Sequence, residues 1–279
     1  MDIEYRRVRV ADVELNVALA GSGPAVLLIH GFPDDHTVWR EQIPALVAAG
    51  YRVIAPDTRG CGDSDMSPRV RDYHTDRLTA DLVGLLDALG VERARVVGHD
   101  WGAVQAWCLA MRHPGRVERL IALSVGHPYE YAHAGFRQKL LGFYTIAIQL
   151  RGLIEFLVTR FDWWAIRRFA GFPSEFPRIR ERLSRPGRLT AGFNYYRANI
   201  SILWAQGPEP VRVPVTGIWS DGDRFLVERQ MTGSARLCEA GWTYVRLEGP
   251  NHWLQLDAPD RVTPLILEHL RRSASEPHA

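Results

Sequence analysis

Val96-Val97-Gly98-His99-Asp100-Trp101-Gly102-Ala103 decides the fold. A β-branched run ends at Gly98, an acid stands at Asp100, and Gly102 begins a stretch to Arg112 whose apolar residues fall at helical spacing. This is a strand, a sharp turn and a helix with G-x-nucleophile-x-G spacing, in which glycines let the chain turn tightly and lift one side chain above a sheet. The lifted side chain is Asp100. Helix-start N–H groups and the helix dipole favour its charged form. Asp is also a common N-cap, but capping alone leaves the flanking glycines unexplained.

Outward from this turn, short apolar runs alternate with helical patterns, the sequence form of βαβ units and a mostly parallel sheet. Ala25 to Ile29, Val53 to Ala55, Arg95 to Val97 and Leu120 to Val125 read as strands. Trp39 to Ala49, Tyr73 to Leu89 and Gly102 to Arg112 read as helices, followed by the stop signals Gly50, Gly90 and His113-Pro114-Gly115. From Tyr129 to about Trp204 the chain is aromatic, arginine-rich and helical in period, with breaks at Gly171-Phe172-Pro173 and Pro186-Gly187. Strands return at Val213 to Trp219 and Thr243 to Leu247, and Ala258 to Arg272 reads as a closing amphipathic helix. The expectation is an α/β core of residues 1–126 and 205–279 around a helical cap of residues 127–204, with a loose tail from Ser273 to Ala279.

The chain has 279 residues, 46% of them hydrophobic, and a net charge of +2. That balance is too weak to point to nucleic acid or an anionic membrane as the main partner. It averages unlike parts: Arg137 to Arg212 holds 13 Arg/Lys against 5 Asp/Glu, and the rest 21 against 27. Lys139 is the single lysine. An acidic substrate could answer the cap arginines, but a solvated surface is the more economical reading. Cys61, Cys108 and Cys238 are scattered, giving neither a disulfide framework nor a zinc spacing. No stretch supplies the roughly 20 apolar residues of a membrane span, and Met1 to Arg9 does not read as a secretory signal. The expected location is cytoplasmic. There is no phosphate-binding loop, dinucleotide fingerprint or histidine pair at ligand spacing, so neither cofactor nor metal is expected. Oligomeric state is unreadable, a homodimer staying open.

Two more motifs accompany the turn. His30-Gly31-Phe32-Pro33 follows the first core strand and matches an HGxP turn; Asp57-Thr58-Arg59-Gly60-Cys61-Gly62-Asp63-Ser64 matches a D-x-R-G-x-G-x-S loop. Together with the Asp100 turn they resemble the α/β-hydrolase superfamily over nearly the whole chain. The resemblance implies a mostly parallel central sheet flanked by helices, with an inserted all-helical cap. It also implies a triad in the order nucleophile, acid, histidine. His252, in Gly249-Pro250-Asn251-His252-Trp253, lies where the base belongs, while His30 and His99 read as structural neighbours in the turns. Trp219-Ser220-Asp221-Gly222-Asp223-Arg224 offers two acids. The family's G-x-x-D pattern puts Ser220 at the glycine and Asp223 at the acid, leaving Asp221 as a turn residue.

An Asp nucleophile narrows the reaction. A carboxylate attacks esters and amides poorly but can displace a leaving group from an sp³ carbon, giving an alkyl-enzyme ester. His252, oriented by Asp223, would activate water against that ester, and the backbone N–H groups of Phe32 and Trp101 would hold the oxyanion. Two superfamily branches work this way, on epoxides and on alkyl halides. Epoxide hydrolases add two cap tyrosines; Phe143 to Gln149 resembles the segment of the first and Asn194-Tyr195-Tyr196-Arg197 that of the second. The resemblance therefore assigns Tyr144 and Tyr196, with Tyr195, Tyr129 and Tyr131 as fallbacks. Phe32 stands where many haloalkane dehalogenases carry a halide-binding asparagine. The expected activity is epoxide hydrolysis to a vicinal diol on a small-molecule epoxide. A haloalkane dehalogenase and a non-catalytic ligand-binding relative are the alternatives.

Overall fold

Five short runs, rich in Val, Leu, Ile and Ala and apolar on both faces, can be satisfied only between two layers of helix. The structure, a computed structural model, describes residues 2–169, 174–204 and 207–272. The strands are β1 (Glu4–Val10), β2 (Val13–Ala20), β3 (Ala25–Ile29), β4 (Arg52–Pro56), β5 (Ala94–His99), β6 (Val117–Leu123), β7 (Val215–Ser220) and β8 (Trp242–Leu247). They form one sheet in the order β1-β2-β4-β3-β5-β6-β7-β8. All neighbours from β4 to β8 are parallel, whereas β2 pairs antiparallel with both β1 and β4. The fold is α/β, as the alternation implied.

The helices are α1 (Gln42–Ala48), α2 (Thr75–Ala88), α3 (Trp101–Arg112), α4 (Pro128–His133), α5 (Phe136–Leu141), α6 (Tyr144–Ala147), α7 (Leu153–Arg160), α8 (Trp164–Phe169), α9 (Phe176–Ser184), α10 (Arg188–Ala198), α11 (Glu228–Thr232), α12 (Leu254–Asp257) and α13 (Pro259–Arg271). Because strand side chains alternate, Leu27 and Ile29 of β3 pack with Leu82 of α2 and Trp107 of α3, while Val26 and Leu28 pack with Leu46 of α1 and Ile266 of α13. The sheet therefore separates two apolar cores.

The pair β1 and β2 has no counterpart in the sequence reading. Four of the seven residues of β1 are exposed charged or tyrosine side chains at its start, so this edge strand shows no apolar run. Between β6 and β7 the chain forms α4 to α10, with no strand among the described residues. The break at residues 171–173, the expected boundary at residue 205 and the tail at 273–279 lie outside the described residues.

The late part of this insertion is fastened to the loops after β3 and β4. Tyr195 donates its hydroxyl to the Arg59 carbonyl (2.7 Å), and the same oxygen lies 2.9 Å from Thr58 Oγ1. Arg182 pairs with Asp35 and Arg185 with Asp63, each at 2.6 Å. Gly192 permits the close approach, since a Cβ there would stand 2.3 Å from the Phe32 ring.

Candidate active site

Asp100 links β5 to α3 with φ of 53°, a left-handed conformation that costs a non-glycine residue energy and is kept only where the surroundings enforce it. The enforcement is steric. A Cβ at Gly102 would meet the Ile29 carbonyl oxygen at 2.1 Å. Asp100 occupies the N-cap position of α3, yet its side chain does not cap the helix. Its Oδ1 instead accepts the Phe32 backbone N–H at 2.9 Å, and Oδ2 lies 3.4 Å from His252 Nε2. Burial would raise this carboxyl, but His252 and the Trp101 N–H hold it below its ordinary value.

His252 lies in the loop between β8 and α12. Its Nδ1 is 2.8 Å from Asp223 Oδ2, and Asp223 Oδ1 accepts the backbone N–H groups of Phe225 and Leu226 at 2.8 and 3.1 Å. Asp221 points elsewhere, accepting the Gly249 N–H at 2.8 Å and pairing with Arg246 at 3.1 Å. Ser220, which stands at the family's glycine position, donates its hydroxyl to the Pro250 carbonyl and so ties the acid's strand to the histidine's loop. Burial works against a charged imidazole, but the Asp223 charge and the hydrogen bonds to Asp100 and Asp223 prevail, raising His252 to about 10. The main chain at His252 is anchored as well. Its carbonyl accepts from Ser124 Oγ (2.8 Å) and lies 2.9 Å from His99 Nε2. His99 is fully buried and pushed down to about 3 by burial and by the neighbouring His252, so it stays neutral.

Asp100 and His252 open onto a cavity of about 220 Å³ between sheet and insertion, bounded by Phe32, Ile148, Val158, Phe193, Phe225 and Trp253 among others. Tyr144 and Tyr196 line the same cavity. Their rings meet edge to face at 5.8 Å, and Tyr196 packs edge-on against Trp101 at 5.1 Å. Burial keeps both hydroxyls protonated far above the ordinary tyrosine value; the charge of Asp100 adds to this, and the two hydroxyls interact. The neighbouring Trp101 side chain works against that rise at Tyr196. Of the fallback tyrosines, Tyr195 faces the core loop, and Tyr129 lies against His133 and Arg236. Tyr131 borders the adjoining space beside Tyr144, its hydroxyl pushed up to about 12 mainly by burial.

Sequence reading did not single out Asp34. It is buried, its Oδ2 accepts the Trp253 indole N–H at 2.7 Å, and burial followed by the charges of Asp35 and Asp100 pushes its carboxyl up to about 7. An Asp-Asp pair after a turn gives no local sign of such an environment. One group among the described residues, Asp35, His36 and Asp57, has the donors for a cation. Those donors are already engaged: His36 Nδ1 lies 2.7 Å from Asp57, Asn16 donates to Asp57 at 2.9 Å, and Arg182 pairs with Asp35. The cluster holds the loop.

The family described as alpha/beta hydrolase fold matches residues 24–259. The chain is 36% identical to AB hydrolase superfamily protein YfhM of Bacillus subtilis, over 96% of this chain and 98% of the relative. It is 33% identical to epoxide hydrolase A of Mycobacterium tuberculosis, over 95% and 96%. The crystal structure of epoxide hydrolase A from Mycobacterium thermoresistibile superposes with a TM-score of 0.85 at 29% identity, covering 97% of this chain and 98% of that one. No helix among the described residues is long and apolar enough to cross a membrane. With this strand order and matches along nearly its full length, the chain belongs to the α/β hydrolase fold family, in its epoxide hydrolase branch.

Proposed function

We propose that the protein is an epoxide hydrolase that turns a small apolar epoxide into a vicinal diol, with the insertion of residues 127–204 acting as the cap over the site. The observation that carries this reading is the pair of protonated hydroxyls, Tyr144 and Tyr196, facing Asp100 and His252 across one apolar cavity. A halide leaves as a stable anion, whereas an epoxide oxygen leaves as an alkoxide and needs a proton donor.

The tyrosine hydroxyls donate to the epoxide oxygen, and Asp100 Oδ2 attacks a ring carbon from the side opposite the C–O bond. That bond breaks, its electron pair stays on oxygen, and a tyrosine proton neutralises the alkoxide. Oδ1 becomes the ester carbonyl oxygen, already held by Phe32 N–H at 2.9 Å. In the free enzyme His252 is an imidazolium between two carboxylates. Ester formation removes the Asp100 charge, so burial counts for more, and the His252 proton passes to the tyrosinate left by ring opening, restoring the phenol and leaving a neutral imidazole. Neutral His252 then takes a proton from water, the hydroxide adds to the Asp100 carboxyl carbon, and the N–H groups of Phe32 and Trp101 hold the oxyanion. On collapse the ester C–O bond breaks, the proton of the added hydroxyl passes to the departing alkoxide, and the diol leaves with Asp100 a carboxylate and His252 again an imidazolium.

Turnover of styrene oxide and of a chloroalkane by the wild type and by Tyr144→Phe/Tyr196→Phe tests this. Diol formation by the wild type, lost by about 100-fold or more in the variant, is expected for donors worth about 10²–10⁴ in rate. Halide release from the chloroalkane that survives in the variant would identify a dehalogenase instead.

A further inference from the structure

The cavity accounts for the inner faces of α6, α7 and α8, which supply Ala147, Ile154, Val158 and Ile166 to its wall. The outer faces of the same part of the insertion are apolar too. Phe136, Leu140, Phe143 and Ile146 follow one another at steps of three and four residues, and all are exposed. The row continues through Leu150, Leu153, Phe156, Phe161 and Trp164. Phe136 is 80% exposed, Phe161 63% and Trp164 57%. An aromatic side chain presents roughly 150–250 Å², so the exposed aromatics alone reach the upper end of the apolar patch of about 300–600 Å² that a monomer shows. Helices apolar on both sides are expected where neither side faces water.

Charge identifies what covers the outer side. Arg137, Lys139, Arg151, Arg160, Arg167 and Arg168 lie exposed along this stretch, and among the described residues none of them forms an ion pair. The only acids between Phe136 and Phe169 are committed elsewhere: Glu155 to Arg197 at 2.7 Å and Asp162 to Arg180 at 3.1 Å. Cap arginines nearer the core, such as Arg182 and Arg185, do have acidic partners. A second copy of the chain is a poor match, since a two-fold interface brings a patch against itself and would set unpaired cations against their own kind. An anionic lipid surface supplies both what the aromatics and what the cations lack.

We infer that the outer face of α5 to α8 docks the protein on an anionic lipid membrane as a peripheral, interfacial surface. Phe143 belongs to both sides, being exposed and lining the cavity, so the docked cavity opens toward the lipid. The whole-chain charge of +2 concealed this surface, because it averages these cations against the acidic core.

Flotation of the full-length protein tests the inference without any turnover assay, so its outcome is independent of the proposed activity. The vesicles are phosphatidylcholine alone, or phosphatidylcholine and phosphatidylglycerol in equal parts. Binding to the anionic vesicles at least about tenfold above the neutral ones, and release by molar salt, are expected. Phe136→Ser/Phe156→Ser/Phe161→Ser and Arg137→Gln/Lys139→Gln/Arg151→Gln should each cut that binding at least about tenfold with an unchanged melting temperature. The salt titration of the wild type needs no variant, so a misfolded variant leaves the inference falsifiable. Absence of flotation, or equal flotation on both vesicles, overturns it. So does a wild-type dimer in sedimentation velocity that the serine variant dissociates while neither protein floats.

Discussion

At His252 the carboxylates on either side make the free imidazole a cation, and only loss of the Asp100 charge turns it into a base. His252→Gln keeps a side chain of similar reach but cannot take the proton. Incubated with epoxide, that variant should gain the mass of one substrate and hold it, as read by intact mass spectrometry; a return to the unmodified mass within a few wild-type turnover times would remove His252 from the base role. Asp34 makes the second residue-scale prediction. Its folded carboxyl holds a proton up to about 7, against an ordinary 3.8, so the folded state binds that proton more tightly than the unfolded chain. Stability from this group is present at acid pH and is lost as pH rises from 3.8 through about 7. Asp34→Asn keeps an acceptor for Trp253 and lacks the charge. Urea melts at roughly pH 5 and pH 8 should show a smaller loss with rising pH for the variant than for the wild type, and parallel losses would contradict the burial assigned to Asp34.

Helix α10 shows what an element adds. Tyr195 and Tyr196 are adjacent, but about 100° of helical rotation sends one hydroxyl to Thr58 and the Arg59 carbonyl and leaves the other on the cavity. Nothing in the string Asn-Tyr-Tyr-Arg tells these faces apart, which is why the reading by resemblance kept both residues in view. The elbow was legible because its glycines answer to local sterics, and the parallel strands because they are apolar on both faces. The hairpin of β1 and β2 was hidden because its edge strand is largely exposed and charged. Between Asp221 and Asp223 the sequence offered only the family's G-x-x-D spacing, with Ser220 departing from its glycine, because the contacts that separate the two acids close against residues some thirty positions later. On the same helix, Arg197 grips Glu155 of α7 at 2.7 and 3.0 Å and the Ile148 carbonyl at 2.9 Å. Arg197→Leu leaves Glu155 a half-buried, unpaired charge and should cost about 3–5 kcal/mol by urea unfolding. Adding Glu155→Leu should recover much of that; no recovery would mean the loss is one of packing.

Across the whole molecule, the segregation of basic insertion from acidic core is used at the seam, where Arg182 and Arg185 meet Asp35 and Asp63. Replacing both arginines with glutamine should raise KM for the epoxide about three- to tenfold and lower kcat as well, because the insertion carries both the pocket wall and the Tyr144 and Tyr196 donors; unchanged KM and kcat in steady-state assays would show the seam to be decorative. Asp100, His252 and Asp223, unlike Tyr144 and Tyr196, are tethered chiefly outside the insertion. Asp100 stands on the turn after β5, Asp223 follows β7, and the carbonyl of His252 is held by Ser124 at the end of β6 and lies beside His99 of β5. The insertion reaches this set at one point, Gln138, whose amide donates to the Phe225 carbonyl and accepts the Val227 N–H, each at 2.9 Å. The molecule is in that sense a fixed engine with an exchangeable front: a different helical segment grafted between β6 and β7 could bring other donors and another pocket shape while the Asp-His-Asp geometry stays put.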